Sequence, residues 1–283
     1  MTNKTFPEQH QAPPGREWEM NPKPIYDDPN TKGSGQLLDK AAIITGGDSG
    51  IGRAVAVAFA KEGADVVIAY LKADKDAEET KQAVESYGRR CVTVCADLRQ
   101  EASAQQVVNE TLTAFGKIDI LVNNIAVQYP QNSIMDISAE QLEDTFRTNI
   151  FSYFYMTKAV LPHLQTGSAV INTASITAYK GSADLIDYSS TKGAIVSFTR
   201  SLSISVLKNG IRVNAVAPGP VWTPLIPSSF SPQKVSEFGA DVPLQYAAQP
   251  VQLAPAYVYL ASQSASYVSG QVLHVNGGVI VDS

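Results

Sequence analysis

AAIITGGDSGIGRAVAVAFAKEG, residues 41–63, passes from a short β-branched apolar run through a glycine-rich turn into a stretch of helix formers that stops at a glycine. The run at 41–45 reads as a strand, and the turn Thr45 to Gly52 opens a helix directly behind it. That order builds an anion site, because backbone N–H groups face outward at a helix N-terminus whose dipole favours negative charge. Glycine lets the chain turn sharply and lets a pyrophosphate approach the backbone. The next apolar run, DVVIAY at 65–70, completes the strand–helix–strand unit that gives such a turn its meaning.

Outward from that unit the same alternation continues to the end of the chain. Strands are expected at 41–45, 65–70, 91–96, 118–124, 168–175, 211–218 and 271–277. Helices are expected at about 50–62, 75–87, 102–115, 138–165, 188–208 and 249–261, with Gly63, Gly88, Gly116 and Gly210 as stops after four of them. Strands apolar on both faces that alternate with helices imply a doubly wound α/β fold: a seven-stranded, mostly parallel sheet covered on both sides, in one domain over 37–283. The first 36 residues differ. They hold six of the 16 prolines and no regular period, so they read as an irregular arm. Trp18, Met20, Ile25 and Tyr26 give that arm something to bury against the body or a neighbouring subunit, with a flexible tail as the alternative.

Composition excludes several classes. The 283 residues carry 22 basic and 27 acidic side chains, a net charge of −5 that supplies no basic stripe for nucleic acid. No run of about 18 apolar residues could span a bilayer, and residues 1–40 lack the apolar core of a signal peptide, so the protein is expected in the cytoplasm. The two cysteines, Cys91 and Cys95, sit on one face of a strand and read as core packing rather than a redox pair. His10, His163 and His274 are scattered, and no metal site is expected. Asp184 and Asp187 read as loop residues.

Tyr188 and Lys192 form YxxxK at the start of a helix, which places them one turn apart on one face. An adjacent ammonium favours a phenolate, so Lys192 is expected to lower the Tyr188 pKa toward a working range for proton exchange with an alcohol or carbonyl oxygen. Ser175, at the end of the fifth strand, offers a hydroxyl to the same oxygen. Near these positions Ile176, Ala178, Leu185 and Ile186 suggest an apolar pocket for a small uncharged carbonyl or alcohol.

TGGDSGIG resembles the TGxxxGxG turn of the short-chain dehydrogenase/reductase family, and the later motifs follow that family's order over residues 38–283. The resemblance implies a Rossmann fold and an NAD(P)-dependent oxidoreductase that transfers a hydride between an alcohol and an aldehyde or ketone. A dinucleotide-binding sensor or scaffold without turnover is the alternative. It implies that Gly46, Ser49, Gly50, Ile51 and Gly52 line the pyrophosphate and ribose, that Asp97 and Leu98 lie beside the adenine, and that Asn124, Ile125 and Ala126 border the cofactor. Ile125 and Ala126 depart from the family's usual Ala-Gly there. Ser175, Tyr188 and Lys192 match its catalytic triad, with Asn149 as the fourth member holding a relay water. Pro218, Gly219, Val221 and Thr223 match its nicotinamide-side segment, residues 224–248 its substrate lid, and a homotetramer is implied. Tyr70 and Lys72 end the second strand without the carboxylate that binds the NAD ribose, which favours NADP(H), while Ser49 stands where NADP-preferring relatives often carry a base, which favours NAD(H).

Overall fold

The computed structural model describes residues 5–281; the first four residues of the arm and the last two of the body lie outside the described residues. The strands are β1 (Ala41–Thr45), β2 (Asp65–Tyr70), β3 (Cys91–Cys95), β4 (Ile120–Asn123), β5 (Ala169–Thr173), β6 (Arg212–Pro218) and β7 (Val272–Val275). They form one sheet in the order β3-β2-β1-β4-β5-β6-β7, and every pair is parallel. The helices are α1 (Gly50–Lys61), α2 (Asp74–Glu85), α3 (Glu101–Phe115), α4 (Ala139–Phe146), α5 (Ser152–Val160), α6 (Thr177–Lys180), α7 (Ile186–Val206), α8 (Leu225–Ser229), α9 (Pro232–Ser236) and α10 (Ala254–Ala261).

Alternation along each strand feeds two cores. Ala42 and Ile44 of β1 pack with Val55 of α1, Val84 of α2 and Tyr257 of α10 on one side of the sheet. Ile43 packs with Val107 of α3, Met156 of α5 and Val206 of α7 on the other. This is the doubly wound Rossmann-type arrangement expected from the sequence, with a fully parallel sheet. Gly63, Gly88, Gly116 and Gly210 all take positive φ at helix ends, the left-handed conformation that stops a helix at little cost to glycine.

Several expectations change in detail. The single helix expected over 138–165 is α4, a π turn at Arg147–Phe151, α5 and a closing 3₁₀ turn at Leu161–His163. The segment 224–248 contains α8 and α9, short helices that its serines and prolines concealed. Cys91 is buried in a core cluster, but Cys95 is exposed: β3 is the sheet's edge strand, and at its end the thiol meets only the Leu71 carbonyl, 3.2 Å away. The described part of the arm is no loose tail. Met20 is 4 % exposed, Trp18 and Tyr26 are half-buried, and only Ile25 of the four apolar candidates stays out.

Candidate active site

Strand order reverses between β1 and β4, whose following loops diverge and leave a crevice at the C-terminal edge of the sheet. A cleft of about 1200 Å³ opens there, with the glycine turn on one wall and the start of α7 on another. Gly46 and Gly50 take φ of 63° and 51°, which brings the turn sharply into α1. Among the described residues the Ile51 N–H has no acceptor, and it sits at the helix N-terminus on the cleft wall. The long cleft, the turn and this free donor fit an extended dinucleotide.

Gly46, Ser49, Gly50 and Ile51 line the cleft, whereas Gly52 does not. A Cβ at Gly52 would stand 1.9 Å from the Gly46 oxygen, so this glycine serves the close packing of helix on turn. Tyr70, Lys72, Asp97 and Leu98 border one end of the cleft, and Asn124, Ile125 and Ala126 its middle. Pro218, Gly219, Val221 and Thr223 close the far side. The Tyr70 hydroxyl donates to Asp74 at 2.7 Å, and Arg99 holds Asp97 with a 2.9 Å ion pair that keeps its carboxyl below the ordinary range. Lys72 is exposed, and its charge also helps hold the Asp97 carboxyl low.

Ser175, Tyr188 and Lys192 all face the cleft. Strand β5 delivers Ser175 just past its end, and the first turns of α7 deliver Tyr188 and Lys192 on one face. Lys192 is 1 % exposed; its Nζ donates to the Thr173 carbonyl at 2.8 Å and lies 5.4 Å from the centre of the Tyr188 ring. Burial depresses the lysine pKa to about 7. Burial also raises the Tyr188 phenol to about 12, opposed only by the facing Ser175 hydroxyl. The expectation that Lys192 pulls the phenol down is therefore corrected for this state, because desolvation disfavours the charged form of both groups.

Asn149 lies behind the cleft, not on it. Its amide is fully buried; it accepts from the Val127 N–H at 2.8 Å and donates to the Val127 carbonyl at 2.9 Å and to Thr191 Oγ1 at 3.1 Å. Through these three bonds Asn149 clamps the loop after β4. Asn124 plays a similar part, donating to the Thr45 and Gly46 carbonyls at 3.2 Å each.

Sequence reasoning passed over Thr177 and Asp48 and misread Asp187. Thr177 donates from its backbone and its hydroxyl to Ser175 Oγ, each at 3.1 Å, and thereby orients that hydroxyl. Asp187 is not a loop residue: it is 2 % exposed in the first turn of α7, where it accepts from Gln141, Thr145 and the Tyr188 N–H. An acid next to the tyrosine at a helix start is the signal that would have found it. Asp48, inside the glycine turn, lines the cleft with its carboxyl raised to about 6 by burial. Asp184 does lie in a loop, paired with Lys234 of α9. Ile176 and Leu185 line the cleft as expected, while Ala178 and Ile186 do not, and Lys180, Lys234 and Glu237 add charge to the rim. Among the described residues no group of three or more His, Cys, Asp or Glu is placed to hold a metal, and no helix is long and apolar enough to cross a membrane.

A family model described as enoyl-(acyl carrier protein) reductase matches residues 46–280. The chain is 60 % identical over 280 residues to the uncharacterized oxidoreductase YhxC of Bacillus subtilis, covering 99 % of this chain and 98 % of that one. It is 51 % identical to the glucose and ribitol dehydrogenase of Daucus carota, over 98 % of this chain and 97 % of the relative. Its fold superposes with a TM-score of 0.81, at 27 % identity, on a short chain dehydrogenase from Burkholderia cenocepacia solved in complex with NADP, covering 86 % of this chain and 98 % of that one. A glycine turn at the sheet's switch point, a serine, tyrosine and lysine on the facing wall, and matches that run nearly end to end place this chain among the oxidoreductases of the short-chain dehydrogenase/reductase family.

Proposed function

We propose that the protein interconverts an alcohol with an aldehyde or ketone on a small uncharged substrate, using NADP(H) in preference to NAD(H), with Tyr188 as proton donor and acceptor. The observation that carries this reading is the convergence of the Tyr188 phenol, the Ser175 hydroxyl and the buried Lys192 amine on one wall of the cleft, opposite the glycine turn. A nicotinamide dinucleotide bound along the cleft would supply the hydride. Gly46, Ser49, Gly50 and Ile51 would hold its pyrophosphate, Asp97 and Leu98 its adenine, and Lys72 a 2′-phosphate; the absence of a carboxylate at the end of β2 supports that last choice.

The chain's own residues account for the proton. A carbonyl oxygen between Ser175 and Tyr188 meets two hydroxyls, one of them oriented by Thr177. With its pKa near 12 the phenol keeps its proton at neutral pH and is ready to give it to an oxygen that is gaining charge. Loss of that proton then favours the ammonium form of Lys192, since a phenolate and an ammonium stabilise one another in a poorly solvated site. The two groups titrate as a pair, and the pH dependence of turnover belongs to the pair. We also read the protein as cytoplasmic and, on the strength of the large apolar side chains exposed on α5 and α7, as a homotetramer.

The test is a panel of aldehydes, ketones, polyols and sugars, assayed with each dinucleotide by the absorbance of the reduced nicotinamide, for the wild type and Tyr188→Phe. The variant should lose at least about 100-fold in turnover, the usual contribution of a positioned acid or base, while binding NADPH within about threefold of the wild type. Equal turnover in the two proteins would remove Tyr188 from the chemistry.

A further inference from the structure

The N-terminal arm lies outside the range of the family model, yet it is built into the cleft. Pro13, Pro14 and Gly15 share the cleft lining with Gly46, Ser49 and Thr223. Two anchors hold them there. Downstream, Glu17 is buried in a 3₁₀ turn; its Oε2 accepts the Gly50 N–H of the glycine turn at 2.6 Å, and its Oε1 accepts Arg53 Nη1 of α1 at 2.8 Å. The Glu17 N–H donates to Asp76 of α2 at 2.9 Å, and Arg53 closes the ring with a 3.0 Å bond to the same carboxylate.

Upstream and beyond, the arm is fastened to the segment that follows β6. Phe6 stacks on Trp222 with ring centres 3.8 Å apart, and Met20 is buried with Leu185, Trp222, Ile226 and Val235. Thr5 donates to the Ser236 carbonyl at 2.7 Å, Gln11 to the Pro227 carbonyl at 2.9 Å, and the Trp222 indole to the Pro22 carbonyl at 2.9 Å. Gly15 sits so close to Pro224 that a Cβ there would come within 2.2 Å of its oxygen. The arm therefore ties the glycine turn to α8 and α9 across the mouth of the cleft.

We propose that arm residues 13–17 are a working part of the dinucleotide site: Pro13, Pro14 and Gly15 wall it, Glu17 positions Gly50, and the strap slows release of bound dinucleotide. Glu17 is a positioning residue, since it acts through the backbone of the turn. The inference rests on the dinucleotide reading above and adds to it a retention device supplied by the arm.

The experiment measures dissociation of NADPH, and separately of NADH, by stopped-flow displacement from the full-length wild type, Gly15→Val and Glu17→Ala. Both variants should release the dinucleotide at least fivefold faster, with association rates changed less than twofold. Release at the wild-type rate from variants with ordinary thermal unfolding overturns the strap and leaves the dinucleotide reading intact. A wild type that binds neither dinucleotide overturns both. Hydrogen exchange of the wild type covers the case in which a variant does not fold: NADPH should slow exchange in residues 5–26 and 225–236 together, and an unprotected arm overturns the proposal.

Discussion

Lys192 carries its amine into a place where the Thr173 carbonyl receives it and water does not, and its pKa falls to about 7 as a result. The unfolded chain keeps that lysine near its ordinary 10.5. Below pH 7 both states hold the proton, and the folded protein bears the full cost of a buried ammonium. Between about 7 and 10.5 the unfolded state binds more protons than the folded one, so stability contributed at this site rises with pH. Replacing the amine with an isosteric apolar chain removes the cost, and the gain is greatest where the cost is. Lys192→Met should therefore show a melting-temperature advantage over the wild type that is larger at pH 6 than at pH 9 by roughly 5 °C, from about 1.4 kcal/mol per pKa unit and a few degrees per kcal/mol. The lost bond to Thr173 shifts both pH values alike, since Tyr153 also donates to that carbonyl at 3.3 Å. Melting curves at the two pH values decide it; a pH-independent difference would mean that the lysine stays charged when buried. A buried lysine that weakens the fold at low pH agrees with the role proposed for it beside Tyr188.

At the level of elements, the helix carrying Asn149 shows what a linear pattern conveys and what it omits. The apolar period over 138–165 announced a helix, but nothing in FRTNIF announced the π turn that widens it at Arg147–Phe151. Such turns arise from tertiary demands; here the demand comes from Val127, whose N–H and C=O lie beyond the last rung of β4 and find their partner in the Asn149 amide. Asn149→Ala would leave both half-buried groups without the amide and should lower unfolding stability by about 1–3 kcal/mol. Asn149→Asp should cost a similar amount, because a carboxylate can still accept the N–H but places an oxygen against the Val127 carbonyl. Urea unfolding measures both, and a loss below about 1 kcal/mol for the alanine would show that water replaces the amide. The same contrast runs through the other elements. Strands and helix stops were legible because apolar alternation and glycines at positive φ are local. Asp187 was misread as a loop residue because its partners, Gln141 and Thr145, come from a helix more than forty residues earlier. At Gly52 the sequence could not separate the two demands, because close packing and ligand approach call for the same residue.

For the whole molecule, the parallel order from β3 to β7 makes each crossover leave a strand at its C-terminal end and return to the N-terminal end of the next, so the loops that follow the strands gather at one edge and line the cleft. That much followed from the alternation of strands and helices. The arm did not, since its lack of period says only that it forms no regular element, and its fate was decided by Phe6 and Met20 finding Trp222. The outer surface still holds apolar groups that the single chain does not cover. Ile204 on α7 is 81 % exposed and Phe154 on α5 is 52 % exposed, tilted against Phe198 of α7 with ring centres 4.4 Å apart. Leu207 extends the same helix, and β7 closes the sheet with an edge that pairs with no further strand among the described residues. Apolar surface in water is stabilised when it is covered, and a second copy of the same chain is one partner that could cover it. Light scattering on the purified protein should give about four times the 30.3 kDa of one chain. If this surface is the interface, Phe154→Glu together with Ile204→Glu brings like charges against one another and should shift the mass downward while leaving the cleft intact. A wild type that runs as one chain would mean that these side chains face solvent in the working protein, and the tetramer would have to be abandoned.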